Sequence, residues 1–127
     1  MNIGSSAFIS SGSHFDGTDD YLVHHTMSGT GTTQYRANDD RGTIFAWINP
    51  DVVNSHGGIF SAGYTGDTHT YFDFYLSSGA KLGMQQREND TAGGVVGDTS
   101  LTASAWQSVA VVSDGTAWAL YVTCVFT

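Results

Sequence analysis

From Thr70 to Leu76 the chain reads Thr-Tyr-Phe-Asp-Phe-Tyr-Leu, with Phe72, Phe74 and Leu76 at every second position. This period of two places the apolar set on one face of a β-strand and scatters it around a helix. The rest of the chain follows the same plan. Short runs rich in aromatic and β-branched residues are separated by Gly, Asn, Asp and Ser, and no run of ten residues carries a helical period. Strands are predicted over Tyr21–His24, Gly42–Pro50, Gly58–Ser61, Thr70–Leu76, Lys81–Gln86, Trp106–Val112 and Ala117–Val122. Gly42–Pro50 is apolar on both faces, which predicts a central strand buried on both sides, ended by Pro50. The fold class is all-β, an antiparallel sandwich, and 127 residues predict a single domain over 1–127.

The segment Thr70–Gln86 predicts a hairpin whose register can be worked out. A three-residue loop, Ser78-Gly79-Ala80, makes the apolar faces of the two strands agree; one residue more or less would invert one of them. Gly79 or Ala80 is expected near the left-handed position of that loop, with Gly79 the preferred choice. Phe74 then faces Met84, and Phe72 faces Gln86. On the opposite face Tyr71 meets Arg87, Asp73 meets Gln85 and Tyr75 meets Gly83. A second tight turn is predicted at Asp114-Gly115, between the last two strands.

Charge narrows the choice of partners. Only 13% of residues are charged, and 12 acids against 4 bases give a net charge of −8. Such a surface is a poor match for nucleic acid or anionic lipid. No apolar stretch reaches the ~18 residues of a membrane span. The start, Met-Asn-Ile-Gly-Ser-Ser-Ala-Phe, lacks the cationic and apolar regions of a secretory leader, so the expectation is that either the chain stays inside the cell that makes it or a leader has been removed. Cys124 is the single cysteine and forms no internal disulfide. Asn89-Asp90-Thr91 is an acceptor for N-glycosylation only on a secretory route.

Several blocks, in order, resemble the concanavalin A-like lectin/glucanase superfamily in its laminin-G-like branch. They are Phe15-Asp-Gly-Thr-Asp-Asp-Tyr-Leu22, Thr43-Ile-Phe-Ala-Trp-Ile-Asn-Pro50, Gly58-Ile-Phe-Ser-Ala-Gly63, Lys81-Leu-Gly83, Trp106-Gln-Ser-Val-Ala-Val111, Asp114-Gly-Thr116 and Leu120-Tyr-Val122. The resemblance covers about 15–122 and implies a jelly roll of two antiparallel sheets, one flatter and one concave. Members bind sugars, proteins or calcium, or build adhesive and virion proteins; the Phe15 block is of a kind found in bacteriophage proteins. In the family, further strands follow the block matched by Leu120–Val122. Here five residues remain, so the closing strands are expected to be missing, and three readings follow: the sequence is a fragment of a longer product, Ile3–Ser10 replaces the closing strands, or another subunit completes the edge. An apolar edge at Val122, Val125 and Phe126 predicts a homo-oligomer paired through that edge.

The candidate chemistry is weighed residue by residue. Glycosidases need two carboxyl groups at a set separation, and the family's catalytic strand carries two Glu residues. This chain has one, Glu88, in the hydrophilic run Arg87-Glu-Asn-Asp90, expected in a loop; no enzyme activity is expected. His24 and His25 are adjacent in a strand and point to opposite faces, while His14, His56 and His69 are scattered, so no zinc site is predicted. No cofactor is required. Calcium is the ion that the oxygen-rich loops with Asp16, Asp19, Asp20, Asp39, Asp40 and Asp67 would suit, although Asp-Gly-Thr-Asp-Asp also reads as a plain turn. Gly29–Gly31 and Gly93-Gly94 are expected to be loops without a phosphate-binding role. Tyr35 and Tyr64 are loop aromatics.

The constellation that remains is Tyr71, Asp73, Tyr75, Gln85 and Arg87. Aromatic rings stack on the C–H faces of sugars, and planar polar groups hold hydroxyls; Tyr and Arg also favour protein interfaces. The sequence therefore predicts a non-catalytic, carbohydrate-binding module using these five residues. The alternative is a structural, assembly or adhesion module such as a bacteriophage virion or tail protein, with a glycosidase fragment a distant third. The expected partner is a glycan or another protein, with no nucleic acid and no membrane insertion.

Overall fold

A computed structural model describes residues 12–15, 18, 20–22, 41–63, 71–88 and 91–126. By its contacts the chain divides into two units, Met1–Tyr35 and Arg36–Thr127. In the first, Phe15, Tyr21 and Leu22 stand exposed. Tyr21 and Leu22, expected to open a strand, are not in one; Val23 and His24 lie outside the described residues.

Among its described residues the second unit holds seven strands and no helix. They are β1 (Arg41–Ile48), β2 (Gly57–Gly63), β3 (Tyr71–Leu76), β4 (Lys81–Glu88), β5 (Thr91–Ser100), β6 (Trp106–Asp114) and β7 (Trp118–Phe126). They form two antiparallel sheets, ordered β1-β6-β7 and β2-β3-β4-β5. This is the all-β sandwich that the sequence implies.

The core lies between the sheets. Phe74, Leu76, Leu82 and Met84 come from β3 and β4, and Val109 and Val111 from β6; all are buried, with Leu101 beside them. Ile44, Ala46 and Ile48 of β1 and Leu120 and Val122 of β7 pack on this cluster. Aromatic contacts cross the interior. Phe72 meets Trp118 of the facing sheet with ring centroids 5.5 Å apart, and Phe60 meets Phe72 edge-on at 6.2 Å.

Two strands correct the sequence reading. β1 is not buried on both sides: Ile44, Ala46 and Ile48 face the core, while Phe45 and Trp47 are exposed. It pairs with β6 and, among the described residues, with no other strand. Its apolar outer face is therefore surface, which the doubly apolar pattern alone could not reveal. Gly93-Gly94 lies in β5, not in a loop, and Glu88 ends β4 opposite Thr91. At Gly94 a β-carbon would come 2.6 Å from the Met84 carbonyl oxygen, so glycine there permits the close pairing of β5 on β4.

The β3–β4 hairpin has the expected register: Tyr71↔Arg87, Phe72↔Gln86, Asp73↔Gln85, Phe74↔Met84 and Tyr75↔Gly83. The left-handed residue is Ala80, with φ 60°, and not Gly79. The hydrogen bonds explain this. The Ala80 amide donates to the Ser77 carbonyl at 3.1 Å, and the Ser77 amide donates to the Lys81 carbonyl at 2.8 Å. That closes a turn over Ser78 and Gly79 and leaves the third loop position to reverse the chain. An L-residue in that region costs roughly 1 kcal/mol. Ala80→Gly should therefore stabilise the fold by about 0.5–1 kcal/mol, read as a higher urea midpoint. No gain would mean that Ala80 is not strained.

The Asp114-Gly115 turn forms as expected, with Gly115 at φ 89°. The Asp114 carboxylate accepts bonds from the Thr116 and Ala117 amides, each at 2.8 Å. These bonds hold its pKa below the ordinary 3.8. A carboxylate with a lowered folded pKa adds stability above its unfolded pKa, and that stability is lost as pH falls through the folded value. Asp114→Asn should thus lower the melting temperature near neutrality, and the difference from wild type should vanish as pH drops below 3.8. A difference that persists in acid would assign the effect to shape and not to charge.

Candidate functional site

The register that buries Phe72, Phe74 and Leu76 turns Tyr71, Asp73 and Tyr75 to the outer face of the four-stranded sheet. Three rows cross that face. The first runs Gly63–Tyr71–Arg87–Ala92. The second runs Ser61–Asp73–Gln85–Gly94, and the third Gly58–Tyr75–Gly83–Val96. The five residues singled out from the sequence thus share one surface, each half-buried.

Small neighbours shape this surface. A β-carbon on Gly83 would lie within 2.6 Å of Tyr75 Cε2 and 2.7 Å of its hydroxyl oxygen. The Tyr75 phenol therefore lies over Gly83, in space that any side chain would take. A shallow depression of about 300 Å³ opens next to it, between Tyr75, Gln85, Gly93, Gly94 and Val96. A bulky side chain at Gly83 should displace the ring: Gly83→Val is expected to remove any ligand affinity that depends on Tyr75. Unchanged near-ultraviolet tyrosine circular dichroism in that variant would show that the ring does not rest there.

Two residues complete the site that sequence reasoning missed. Ser61 Oγ donates to Asp73 Oδ1 at 2.7 Å, which fixes the carboxylate. His56 stacks on Tyr75 with centroids 4.6 Å apart and planes 24° from parallel. Its Nε2 is 3.9 Å from Asp73 Oδ2. His56 thus bridges the polar and aromatic rows. The pairing of β2 on β3 would have found Ser61, since it sits opposite Asp73. His56 precedes β2, and nothing in its spacing marks it.

The arrangement offers a ring pair, a second phenol, an oriented carboxylate, an amide and a guanidinium. Asp73 has Ser61 and Gln85 as its cross-strand neighbours, not a second acid. Among the described residues no group of three or more His, Cys, Asp or Glu gathers to hold a metal ion. Asp16, Asp19, Asp39, Asp40, Asp67, His24, His25, His69, Tyr35, Tyr64 and Asn89 lie outside the described residues, as do the side chains of Glu88 and Cys124. Asp20 and His14 are described and exposed.

A laminin-G-type family profile, described as the concanavalin A-like lectin/glucanase superfamily, matches residues 5–124. The chain belongs to this superfamily. The match takes in all seven strands but the last two residues of β7. It accounts for the two antiparallel sheets and makes the chain a lectin/glucanase-like sandwich module. No curated protein and no solved structure matches the chain. Within so broad a superfamily the fold alone does not assign an activity, so the function must be argued from the outer face of β3 and β4.

Proposed function

We propose that this module recognises carbohydrate without catalysis, through Tyr71, Asp73, Tyr75, Gln85 and Arg87, with His56 and Ser61 added. One observation carries the reading. Aromatic and hydrogen-bonding side chains alternate along one face, with glycines beside the rings. A sugar presents an apolar face and a rim of hydroxyls, so it needs both kinds of group close together, as ligand sites generally combine them. Asp73 accepts from hydroxyls and Gln85 both accepts from and donates to them, while Tyr71 and the Tyr75–His56 stack supply flat apolar area. Hydrolysis is not proposed: glycosidases use two carboxyl groups, and the cross-strand neighbours of Asp73 are a serine and an amide. Nucleic acid is disfavoured by the net charge of −8, and membrane insertion is not part of the proposal.

An assembly role is the second reading, and it has its own observation. Phe45 and Tyr121 lie on either side of Ala110 on the outer face of the other sheet, 60% and 53% exposed. Exposed aromatic area of this kind suits a protein partner, as would pairing between copies through an edge strand.

A glycan array, run with calcium and with chelator, separates the two. The expected result is saturable binding to one glycan class, lost in the Tyr71→Ala/Tyr75→Ala double variant by tenfold or more, about the worth of one aromatic contact. Loss with chelator would add a calcium ion to the site. Retained affinity in the double variant would overturn the site, and no binding in either condition would favour assembly.

A further inference from the structure

We propose that two copies of this chain associate back to back, through the outer face of the three-stranded sheet, about a two-fold axis. This deepens the assembly reading and does not rest on sugar binding. The face is aromatic. Phe45 and Tyr121 flank Ala110 in one row, 60% and 53% exposed, and Trp47, two residues along β1, is 42% exposed. Strand spacing sets the two rings of the row roughly 10 Å apart, with a valley over Ala110 between them. Two sheets pack face to face about 10 Å apart, the thickness of one layer of interdigitated side chains. Offset by one strand, a ring from each copy drops over the Ala110 of the other, so the surface is complementary to itself.

Charge selects a second copy over a foreign partner. The chain carries −8. A contact between like molecules sets acids near their own images, so it needs a surface without them, whereas a foreign partner is selected by complementary charge. The row of Phe45 and the rows on either side of it, begun by Thr43 and Trp47, hold no acid or base. Charge enters at the end of the face, where Arg41 stands opposite Asp114 and the two cancel.

Area sets the strength. An aromatic side chain offers about 150–250 Å² in all, so the three exposed fractions leave roughly 300 Å² of ring surface open. That is the size of a functional patch, but it falls below the ~800 Å² per partner of a standard stable interface. The dimer is therefore reversible, with a dissociation constant on the order of 10–100 µM. Stacked in this way, the two copies turn their β3–β4 faces away from each other, and both faces stay open.

The test is sedimentation equilibrium of the whole chain from about 2 to about 500 µM, at low and at physiological salt. The expected result is a monomer–dimer equilibrium that stops at the dimer and tightens with salt, because the repulsion between two negative chains is screened. Phe45→Glu and Tyr121→Glu, each checked for an unchanged melting temperature, should each weaken association about tenfold or more. Val96→Glu, at an exposed position on the edge strand of the other sheet, should leave it within about twofold. Tryptophan emission should move to shorter wavelength as the concentration rises, and Trp47→Phe should abolish that shift; this readout holds even where a Glu variant fails to fold. A chain that stays monomeric throughout, growth past the dimer, association retained in both Glu variants on this face, or association lost in Val96→Glu would overturn the inference. Each of these outcomes leaves glycan binding by β3 and β4 untouched.

Discussion

A strand's neighbours must fix its register, and at β3–β4 that one choice determines both surfaces of the sheet. With Phe74 opposite Met84 and Leu76 opposite Leu82, four large side chains enter the core. Burial of each is worth about 2 kcal/mol. A slip by one residue would expose them and drive Asp73 inward, where an unpaired carboxylate is very costly. The same pairing sets Tyr71 beside Arg87, Asp73 beside Gln85 and Tyr75 over Gly83. The candidate site is thus the reverse side of the core, and the stability of one fixes the geometry of the other.

Glycine acts on both sides of that arrangement for different reasons. Gly94 lets the β5 backbone approach the Met84 carbonyl, which extends the sheet beyond β4. Gly83 leaves the space that the Tyr75 phenol covers, so the ring is laid on the sheet and meets His56. Held between Gly83 and His56, the ring has little freedom left to lose, which is the advantage of a preformed surface. The Ser61 bond does the same for the Asp73 carboxylate.

How much of this was legible follows from the physics of each element. Alternation at Thr70–Leu76, with an odd loop, was enough for the hairpin register and for all five outward residues, because pleating leaves no other solution. β5 was hidden because Ala-Gly-Gly-Val has little strand propensity; its place comes from pairing with β4 and not from its own residues. The exposure of Phe45 and Trp47 was hidden because an apolar face reads the same whether covered or open. The Gly79–Ala80 exchange shows the turn's hydrogen bonds overriding residue preference. His56 is a purely tertiary neighbour. The family could be read from ordered blocks, each weak alone; the ligand could not, since the superfamily carries many.

The central claim is that the outer face of β3 and β4 is the recognition surface. Amide chemical-shift mapping of the labelled chain, titrated with whichever neutral oligosaccharide binds, tests it directly. The account expects the largest shifts at Tyr71, Asp73, Tyr75, Gly83, Gln85 and Arg87, with His56 and Ser61 following. Shifts confined to β1, β6 and β7, with β3 and β4 unmoved, would contradict it.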